Sequence, residues 1–153
     1  MKLRPGNLLH AIVLLVVAVG VVPLSCAADL TAEQVRELLA TADRDKPADL
    51  TGKDLSDLDL SNIDFKRANL SGANLREANL SRSLMLFADL KGANLKGANF
   101  FRVKLAGADL SGADVAGADF TEADLEGTVL KGVKGIEAAR GMDTATNRDK
   151  AVH

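Results

Sequence analysis

The sequence has very few of the side chains from which catalytic and metal sites are built. Its two histidines are His10 and His153, its one cysteine is Cys26, and tryptophan and tyrosine are absent. His10 lies in the N-terminal leader and His153 is the last residue, so we expect no Ser–His–Asp or Cys–His arrangement in the mature chain and no Cys/His cluster for a metal. We therefore expect no catalytic residue, no metal and no cofactor, and a lone cysteine excludes a disulfide within the chain.

A strong charge of either sign is also missing. The 153 residues carry 19 Lys and Arg against 21 Asp and Glu, a formal net charge of −2. Nucleic-acid binding needs a basic stripe, and single strands also need aromatic platforms on which bases stack. Neither is present, so we expect no nucleic-acid partner.

The N-terminus has the pattern of a secretory signal peptide. Lys2 and Arg4 precede an apolar run over residues 11–22, which is short for a membrane span but has the length of a signal-peptide core. The predicted cleavage region is Ser25, Cys26, Ala27 and Ala28. We predict a signal peptide over residues 1–28, a mature chain that begins at Ala28 or Asp29, and export to the periplasm or the extracellular space.

Cys26 leaves a second possibility open. A lipid attached to this cysteine would make the chain a lipoprotein at the membrane, although Pro23 stands where a lipobox usually has leucine. The interpretation that we favour is that Cys26 is a small residue removed with the leader. A membrane partner is expected only if Cys26 is lipidated.

The most regular feature of the sequence is a period of five. Large apolar residues recur at every fifth position from Leu50 to Leu130. The set is Leu50, Leu55, Leu60, Phe65, Leu70, Leu75, Leu80, Met85, Leu90, Leu95, Phe100, Leu105, Leu110, Val115, Phe120, Leu125 and Leu130. A helix of 3.6 residues per turn would scatter these side chains, and a flat strand of period two would send alternate members to opposite faces. A coil that advances one flat side per five residues keeps them all inside.

The other positions of the repeat have their own preferences. In most repeats a small residue, usually alanine, stands two places before the large one, and both should point inward because positions i and i−2 share a side in extended chain. The residue between them is usually Asp or Asn and should point outward, where its short side chain bonds to backbone amides near a turn. The carboxylates of the chain therefore have a structural explanation.

The runs ANLSGANLREANL, ADLKGANLKGANF and ADLSGADVAGADFTEADL resemble the pentapeptide-repeat family, whose motif is A(D/N)LXX. The resemblance covers residues 48–132. It implies an all-β solenoid, a right-handed quadrilateral β-helix with four pentapeptides per coil and about four coils here. The family's members have many roles, so the resemblance specifies the fold far better than the function.

A period of twenty lies within the period of five. The fifth position of every fourth repeat is glycine, and we name this set the Gly corner: Gly52, Gly72, Gly92, Gly112 and Gly132. The corner two sides later has no glycine, and we name it the Gly-free corner: Asn62, Arg82, Arg102 and Glu122. We predict type II turns, which need positive φ, at the Gly corner and a different turn class at the Gly-free corner.

Both ends of the repeat should be closed by short segments. Thr31 followed by Gln34 is a capping-box pattern, so residues 29–47 are predicted to form a capping helix and a linker. Residues 133–153 are predicted to form a C-terminal cap and a polar tail. In that segment residues 136–140 would make one helical turn, and residues 144–153 would fray.

One stretch breaks the outward pattern while keeping the inward one. We name it the apolar patch: Leu84, Leu86, Phe87 and Phe101, with Arg82, Arg102 and Lys104 around them. Exposed apolar side chains of this kind favour binding of a partner protein or self-association. Two alternatives stay open: the chain's own termini cover the patch, or the substitutions have no role.

These observations favour an exported, non-catalytic scaffold for protein–protein interaction in the bacterial envelope or outside the cell. A second possibility comes from the resemblance, because some pentapeptide-repeat proteins mimic duplex DNA and bind DNA gyrase. That role implies a cytosolic location and a strongly acidic surface. The repeat block has 13 acidic and 10 basic residues, and the leader points to export, so both features count against it.

Overall fold

The structure is a computed structural model that describes residues 28–65 and 67–152. The predicted signal peptide therefore lies outside the described residues, apart from Ala28. One α-helix, α1, spans Ala32–Thr41, and two 3₁₀ helices span Ile136–Ala138 and Arg148–Lys150. In the described part of the chain, extended backbone occurs as isolated parallel bridges instead of continuous strands.

The bridges show how the chain winds. Asp49 pairs with Asn69, Asn69 with Asp89 and Asp89 with Asp109, so each residue meets the one twenty places on. Four pentapeptides thus complete one coil, and the predicted solenoid is confirmed. The strand content is lower than an all-β class suggests because two of every five residues form the turn. One residue per side is left to bridge to the next coil.

The interior consists of the large residues of the repeat. From Leu50 to Leu125 every one of them is at most 2% exposed. The small residues beside them are buried as well, and the rings of Phe100 and Phe120 stack at 4.9 Å between centroids with 2° between their planes. Each of these side chains contributes about 1.5–3 kcal/mol by leaving water. The five-residue period therefore predicted the core correctly.

Two polar residues lie in this core. Ser83 and Thr128 occupy the small inward position, where most repeats have alanine. The Ser83 hydroxyl accepts from the Ile63 N–H at 3.0 Å and donates to the Leu60 carbonyl at 2.9 Å, and the Thr128 hydroxyl donates to the Leu105 carbonyl at 2.9 Å. Both hydroxyls are satisfied, so burying them costs little.

The outward Asp and Asn side chains act as predicted. In most repeats their Oδ1 accepts a hydrogen bond from the N–H two residues on, for example Ser71 N–H to Asn69 at 3.0 Å and Ser111 N–H to Asp109 at 2.9 Å. This contact fixes the start of each turn. Aspartate and asparagine are the residues whose side chains have an acceptor at the required reach.

The prediction of two turn classes is wrong. At the Gly corner φ is +65° at Gly72, and at the Gly-free corner it is +59° at Arg82. Both turns also have the same closing bond, from Ala73 N–H to Leu70 O at 3.0 Å and from Ser83 N–H to Leu80 O at 3.2 Å. The left-handed conformation recurs at the corners on all four sides of the coil, at glycine and non-glycine residues alike, and each non-glycine residue adopts it at a cost of about 1–2 kcal/mol.

Helix α1 lies over the first coil. The predicted capping box is present, since Gln34 N–H donates to the Thr31 hydroxyl at 3.2 Å and Thr31 N–H to Gln34 Oε1 at 2.8 Å. Val35 and Leu39 are buried against the core. Two further bonds attach this segment: Asp29 N–H to Asp54 O at 2.7 Å, and Arg36 Nη2 to Asp59 O at 3.2 Å.

The C-terminal segment is ordered along its described length, so the predicted fraying of residues 144–153 is wrong. Lys134, Arg140, Thr146 and Val152 bridge to the preceding coil, as Asp124 to Thr146 and Val129 to Val152 show. These residues stand six apart, because 3₁₀ helices over Ile136–Ala138 and Arg148–Lys150 lengthen two of the corners and a turn over residues 142–144 lengthens the third. The first helix is the predicted turn within residues 136–140.

Candidate functional site

The apolar patch lies on one side of the coil and at its two corners. We name this side four, after its bridge residues Asp64, Leu84, Lys104, Asp124 and Thr146. Leu84 and Lys104 are adjacent in the column, and both replace the usual Asp or Asn. Their neighbours in the chain place Phe101 and the arginines at the corner before side four, and Leu86 and Phe87 at the corner after it.

The structure leaves the centre of the patch accessible. Leu84 and Leu86 are each 37% exposed, Phe87 is 58% exposed, and Phe101 is half-buried. In the described residues, helix α1 covers the first coil and the C-terminal segment pairs with residues 114–129. These elements occupy the two ends of the stack, away from the middle coils that carry Leu84 and Phe87.

Phe87 is held between the coils above and below it. The Arg67 guanidinium lies 5.4 Å from the centroid of its ring, in a cation–π contact. On the other side the ring covers Gly107, where an added Cβ would lie 2.6 Å from ring atoms Cδ1 and Cε1. Sequence reasoning missed Arg67 and Gly107, although both stand twenty residues from Phe87 and so share its corner.

Phe101 has a cationic neighbour of its own. The Arg102 guanidinium lies 4.9 Å from its ring centroid, and Arg102 Nε donates to Glu122 Oε2 at 2.7 Å. The hydrogen bond to Glu122, together with the attraction of its charge, raises the pKa of Arg102 above its ordinary value. Arg82 and Lys104 differ from Arg102, because neither forms an ion pair with any residue of 28–65 or 67–152.

The loss of the outward Asp or Asn also changes the backbone here. Elsewhere that side chain accepts from the N–H two residues on, so Leu84 and Lys104 deprive the Leu86 and Ala106 N–H groups of this acceptor. No described residue accepts a hydrogen bond from either group. Two backbone donors in successive coils therefore face outward beside the apolar side chains. Sequence reasoning did not identify them, although the substitutions at Leu84 and Lys104 are their signal.

Side one shows what an ordinary side looks like. Its bridge residues begin with Asp49, Asn69, Asp89 and Asp109. Lys91 Nζ lies 3.1 Å from Asp89 Oδ2 and 3.2 Å from Asp109 Oδ2, so an ammonium group occupies the space between the stacked carboxylates. These bonds raise the pKa of Lys91. Burial opposes ionisation of Asp109, but hydrogen bonds from Ser111 and Lys91 outweigh it and lower the pKa of that carboxyl.

The described residues form no cluster of metal ligands, and two grooves among them are open. Within residues 28–65 and 67–152 no group of three or more His, Cys, Asp or Glu side chains is placed to hold a metal ion. An open groove of about 450 Å³ lies beside Met142, Asn147 and Arg148 at the C-terminal end. A smaller one of about 370 Å³ lies between Leu30, Leu38 and Thr41.

The described chain also has no helix with the length and apolar character that crossing a bilayer requires. The cleavage region Ser25, Cys26 and Ala27 lies outside the described residues, and Ala28 is the first of them.

Comparison with known proteins gives the family. A sequence model of pentapeptide repeats matches in eight copies over residues 48–82, 59–97 and 98–134, more than half of the chain. No curated protein resembles the chain closely enough to count as a match. Several solved structures do.

A pentapeptide repeat protein of the Arabidopsis thaliana thylakoid lumen is 34% identical over 56% of this chain, with a TM-score of 0.44; this chain spans 59% of its length. Rfr23, from the cyanobacterium Cyanothece 51142, is 32% identical over 72% of this chain and 67% of its own, with a TM-score of 0.31. A third protein, from Nostoc PCC 7120, is 27% identical over 72% of this chain and 94% of its own, with a TM-score of 0.40.

Proposed function

Because this chain belongs to the pentapeptide-repeat family, we propose that it is a non-catalytic scaffold that binds a partner protein through the apolar patch. The observation that carries this proposal is the exposure of Leu84, Leu86 and Phe87 on one side of a stack whose interior is already complete. Proteins of this family are generally structural or binding proteins. Outside the patch, most bridge positions of the repeat are Asp or Asn.

The proposed scaffold is a right-handed stack of about four coils of pentapeptides, followed by one coil of longer C-terminal repeats. Helix α1 closes one end and residues 133–152 close the other, so that neither end offers an edge for uncontrolled pairing. The ladder of buried Leu and Phe side chains makes the stack rigid. A rigid stack keeps exposed groups of successive coils at a fixed spacing of about 4.8 Å, which suits a binding surface.

We propose that the scaffold works in the bacterial envelope or outside the cell. Support comes from the sequence of residues 1–28, with basic residues, an apolar run and small residues in signal-peptide order. The intact mass of the protein from its native cells tests this. An unmodified chain that begins at Ala28 or Asp29 supports soluble export, and a lipidated Cys26 would place the scaffold at the membrane. A chain that begins at Met1 would overturn export and favour the gyrase-binding alternative.

Partner binding is tested by a photo-crosslinking amino acid in place of Leu86. The matched control places it at Leu38, an exposed leucine of α1 that is 43% exposed and lies outside the patch. After irradiation of living cells we expect a protein adduct from position 86 and none from position 38. Adducts of equal yield at both positions, or none at either, would overturn the proposed role of the patch. An adduct of twice the chain's own mass would identify a second copy as the partner.

A further inference from the structure

We propose that the apolar patch binds an acidic–apolar segment of a different protein, in which a carboxylate lies next to an apolar side chain. This inference rests on the proposed function and names the chemistry of its partner. Leu84, Leu86 and Phe87 would receive the apolar side chain. Arg82, Lys104 and the N–H groups of Leu86 and Ala106 would receive the carboxylate.

The charge of the patch is the first argument. Residues 81–87 and 101–107 contain Arg82, Arg102 and Lys104 and no acidic residue. Arg102 is already paired with Glu122, but Arg82 and Lys104 form no ion pair with a described residue. A carboxylate of the partner can therefore pair with Arg82 and Lys104 without breaking an ion pair within the described chain.

The backbone is the second argument. The Leu86 and Ala106 N–H groups stand where the repeat normally supplies an Asp or Asn oxygen. They belong to successive coils, so they lie about 4.8 Å apart along the stack. A carboxylate has two acceptor oxygens, and its hydrogen bonds to N–H groups are roughly twice as strong as neutral ones. A partner carboxylate would replace the acceptor that Leu84 and Lys104 have removed.

The apolar contact is the third argument. Leu84 and Leu86 are exposed beside these donors, and Phe87 is fixed between Arg67 and Gly107. A rigid aromatic side chain loses little conformational freedom on binding. Apolar contact alone would not select an acidic partner, and charge alone would be weak at an exposed surface. Their combination specifies a segment that has both features.

The carboxylates beside the patch in the next coil do not supply this ligand. The acids of side four in the next coil are engaged: Asp124 accepts from Asn147 Nδ2 at 2.8 Å, and Glu126 pairs with Lys150 at 3.4 Å. Glu122 holds Arg102, and on side one Lys91 bridges Asp89 and Asp109. A second copy that bound through these acids would have to break such contacts, so the acids of the repeat favour a different protein as the partner.

The test uses the full mature chain, labelled with ¹⁵N, and two synthetic peptides. The acidic peptide is acetyl-GSELDFGS-amide, and the neutral peptide, acetyl-GSQLNFGS-amide, replaces both carboxylates by amides. We expect the acidic peptide to shift the amide signals of Leu86 and Ala106 and to bind at least about tenfold more tightly than the neutral one. The preference should fall as salt is added.

Leu84→Asp is the informative variant. Asp is the usual residue at this position, so the variant should fold while it returns an acceptor to the Leu86 N–H and adds a negative charge. We expect binding of the acidic peptide to fall at least about tenfold. Asn69→Asp on side one adds the same charge outside the patch, keeps the acceptor for Ser71 and should leave binding unchanged.

Several results would overturn the inference. Equal binding of the two peptides, signal shifts outside the patch, or no shift at about 2 mM peptide would each contradict it. Binding to vesicles that contain phosphatidylglycerol, lost in Leu84→Asp, would assign the patch to an anionic membrane. Concentration-dependent shifts of the same amides without peptide would assign it to a second copy. If an adduct forms at position 86 in cells but the acidic peptide does not bind, the scaffold function stands and this inference alone fails.

Discussion

Side one and the middle of side four both bury their inward residues, but their outward bridge residues differ in character. On side one, Asp89 and Asp109 hold their turns and share Lys91. On side four, Leu84 and Lys104 stand in the same bridge positions without holding a turn. The inward residues of both sides are buried, although side four has Ser83, Met85 and Val103 where side one has only Ala and Leu in the same coils. The comparison shows that the repeat separates folding from surface chemistry, so one side can lose its Asp and Asn residues while the coil continues.

The largest effect should come from the interior that both sides share. Leu95→Asp places a carboxylate at a position that is 0% exposed, with no partner inside the ladder. Burying an unpaired charge costs more than about 4 kcal/mol, so we expect the stack not to fold. Urea denaturation followed by circular dichroism measures this. A native unfolding curve for the variant would show that the ladder does not hold the sides together.

A smaller loss of stability should distinguish the corner at Gly107, beside the patch, from the corner at Gly112. In Gly107→Ala the new Cβ meets the Phe87 ring and takes φ of +68°, whereas in Gly112→Ala it takes φ of +70° with nothing within 4 Å. Gly112→Ala should cost about 1–2 kcal/mol through backbone strain alone. Gly107→Ala should cost about 1 kcal/mol more, because the ring must move.

The free energy of unfolding in urea measures both variants. Combining Gly107→Ala with Phe87→Ala isolates the ring contact, since the added cost of the new Cβ should then fall to that of Gly112→Ala. An unchanged cost in the double variant would mean that Phe87 does not pack on Gly107.

Exchanging the bridge residues of the two sides should change stability by about 1 kcal/mol in opposite directions. Asp89→Leu removes the acceptor of the Lys91 N–H at 3.0 Å and should destabilise the chain. Leu84→Asp supplies an acceptor to the Leu86 N–H and should stabilise it slightly. Thermal unfolding of the two variants measures the difference. A loss of stability in both would contradict the role assigned to the outward Asp.

The smallest effect is a pH dependence. A hydrogen bond from Thr121 is the largest influence on Asp119, and it lowers the pKa of this carboxyl, as the Thr51 hydroxyl does for Asp49. A folded-state pKa below the unfolded value of about 3.9 adds stability above that pH. This stability is lost as the pH falls through the folded pKa.

We therefore expect the free energy of unfolding to drop below about pH 4. Asp119→Asn keeps an acceptor for Thr121 but cannot titrate, so its unfolding free energy should depend less on pH in this range. A steeper dependence in the variant would contradict the assignment.

Much of this fold was predictable from the sequence, because the period of five decides which side chains point inward. The apolar patch was visible for the same reason: Leu84, Leu86 and Phe87 break the outward pattern. The turn geometry of the Gly-free corner was not predictable in this way. The absence of glycine there suggested a different turn class, but the coil requires the same backbone conformation at both corners. Arg82 has positive φ because the coil requires it, despite its side chain.

The C-terminal coil was missed because its repeat is longer and has lost the ADL motif. Val133, Ala139, Ala145 and Ala151 stand six apart, which is a weak signal among polar neighbours. The backbone donors of Leu86 and Ala106 were missed for a different reason. These N–H groups are unpaired among the described residues because no Asp or Asn oxygen accepts from them, and only the structure of the other repeats shows that this hydrogen bond is the usual one.

The central claim is that the apolar patch binds a partner protein, whereas the buried Leu and Phe side chains stabilise the fold. The double variant Leu86→Ser/Phe87→Ser tests this claim most directly. Its unfolding free energy and its photo-crosslinking from position 84 are measured beside those of the unchanged chain. We expect the unfolding free energy to stay within about 1–2 kcal/mol, because both side chains are exposed. The adduct should disappear. A variant that fails to fold, or one that folds and still forms the adduct, would contradict the account.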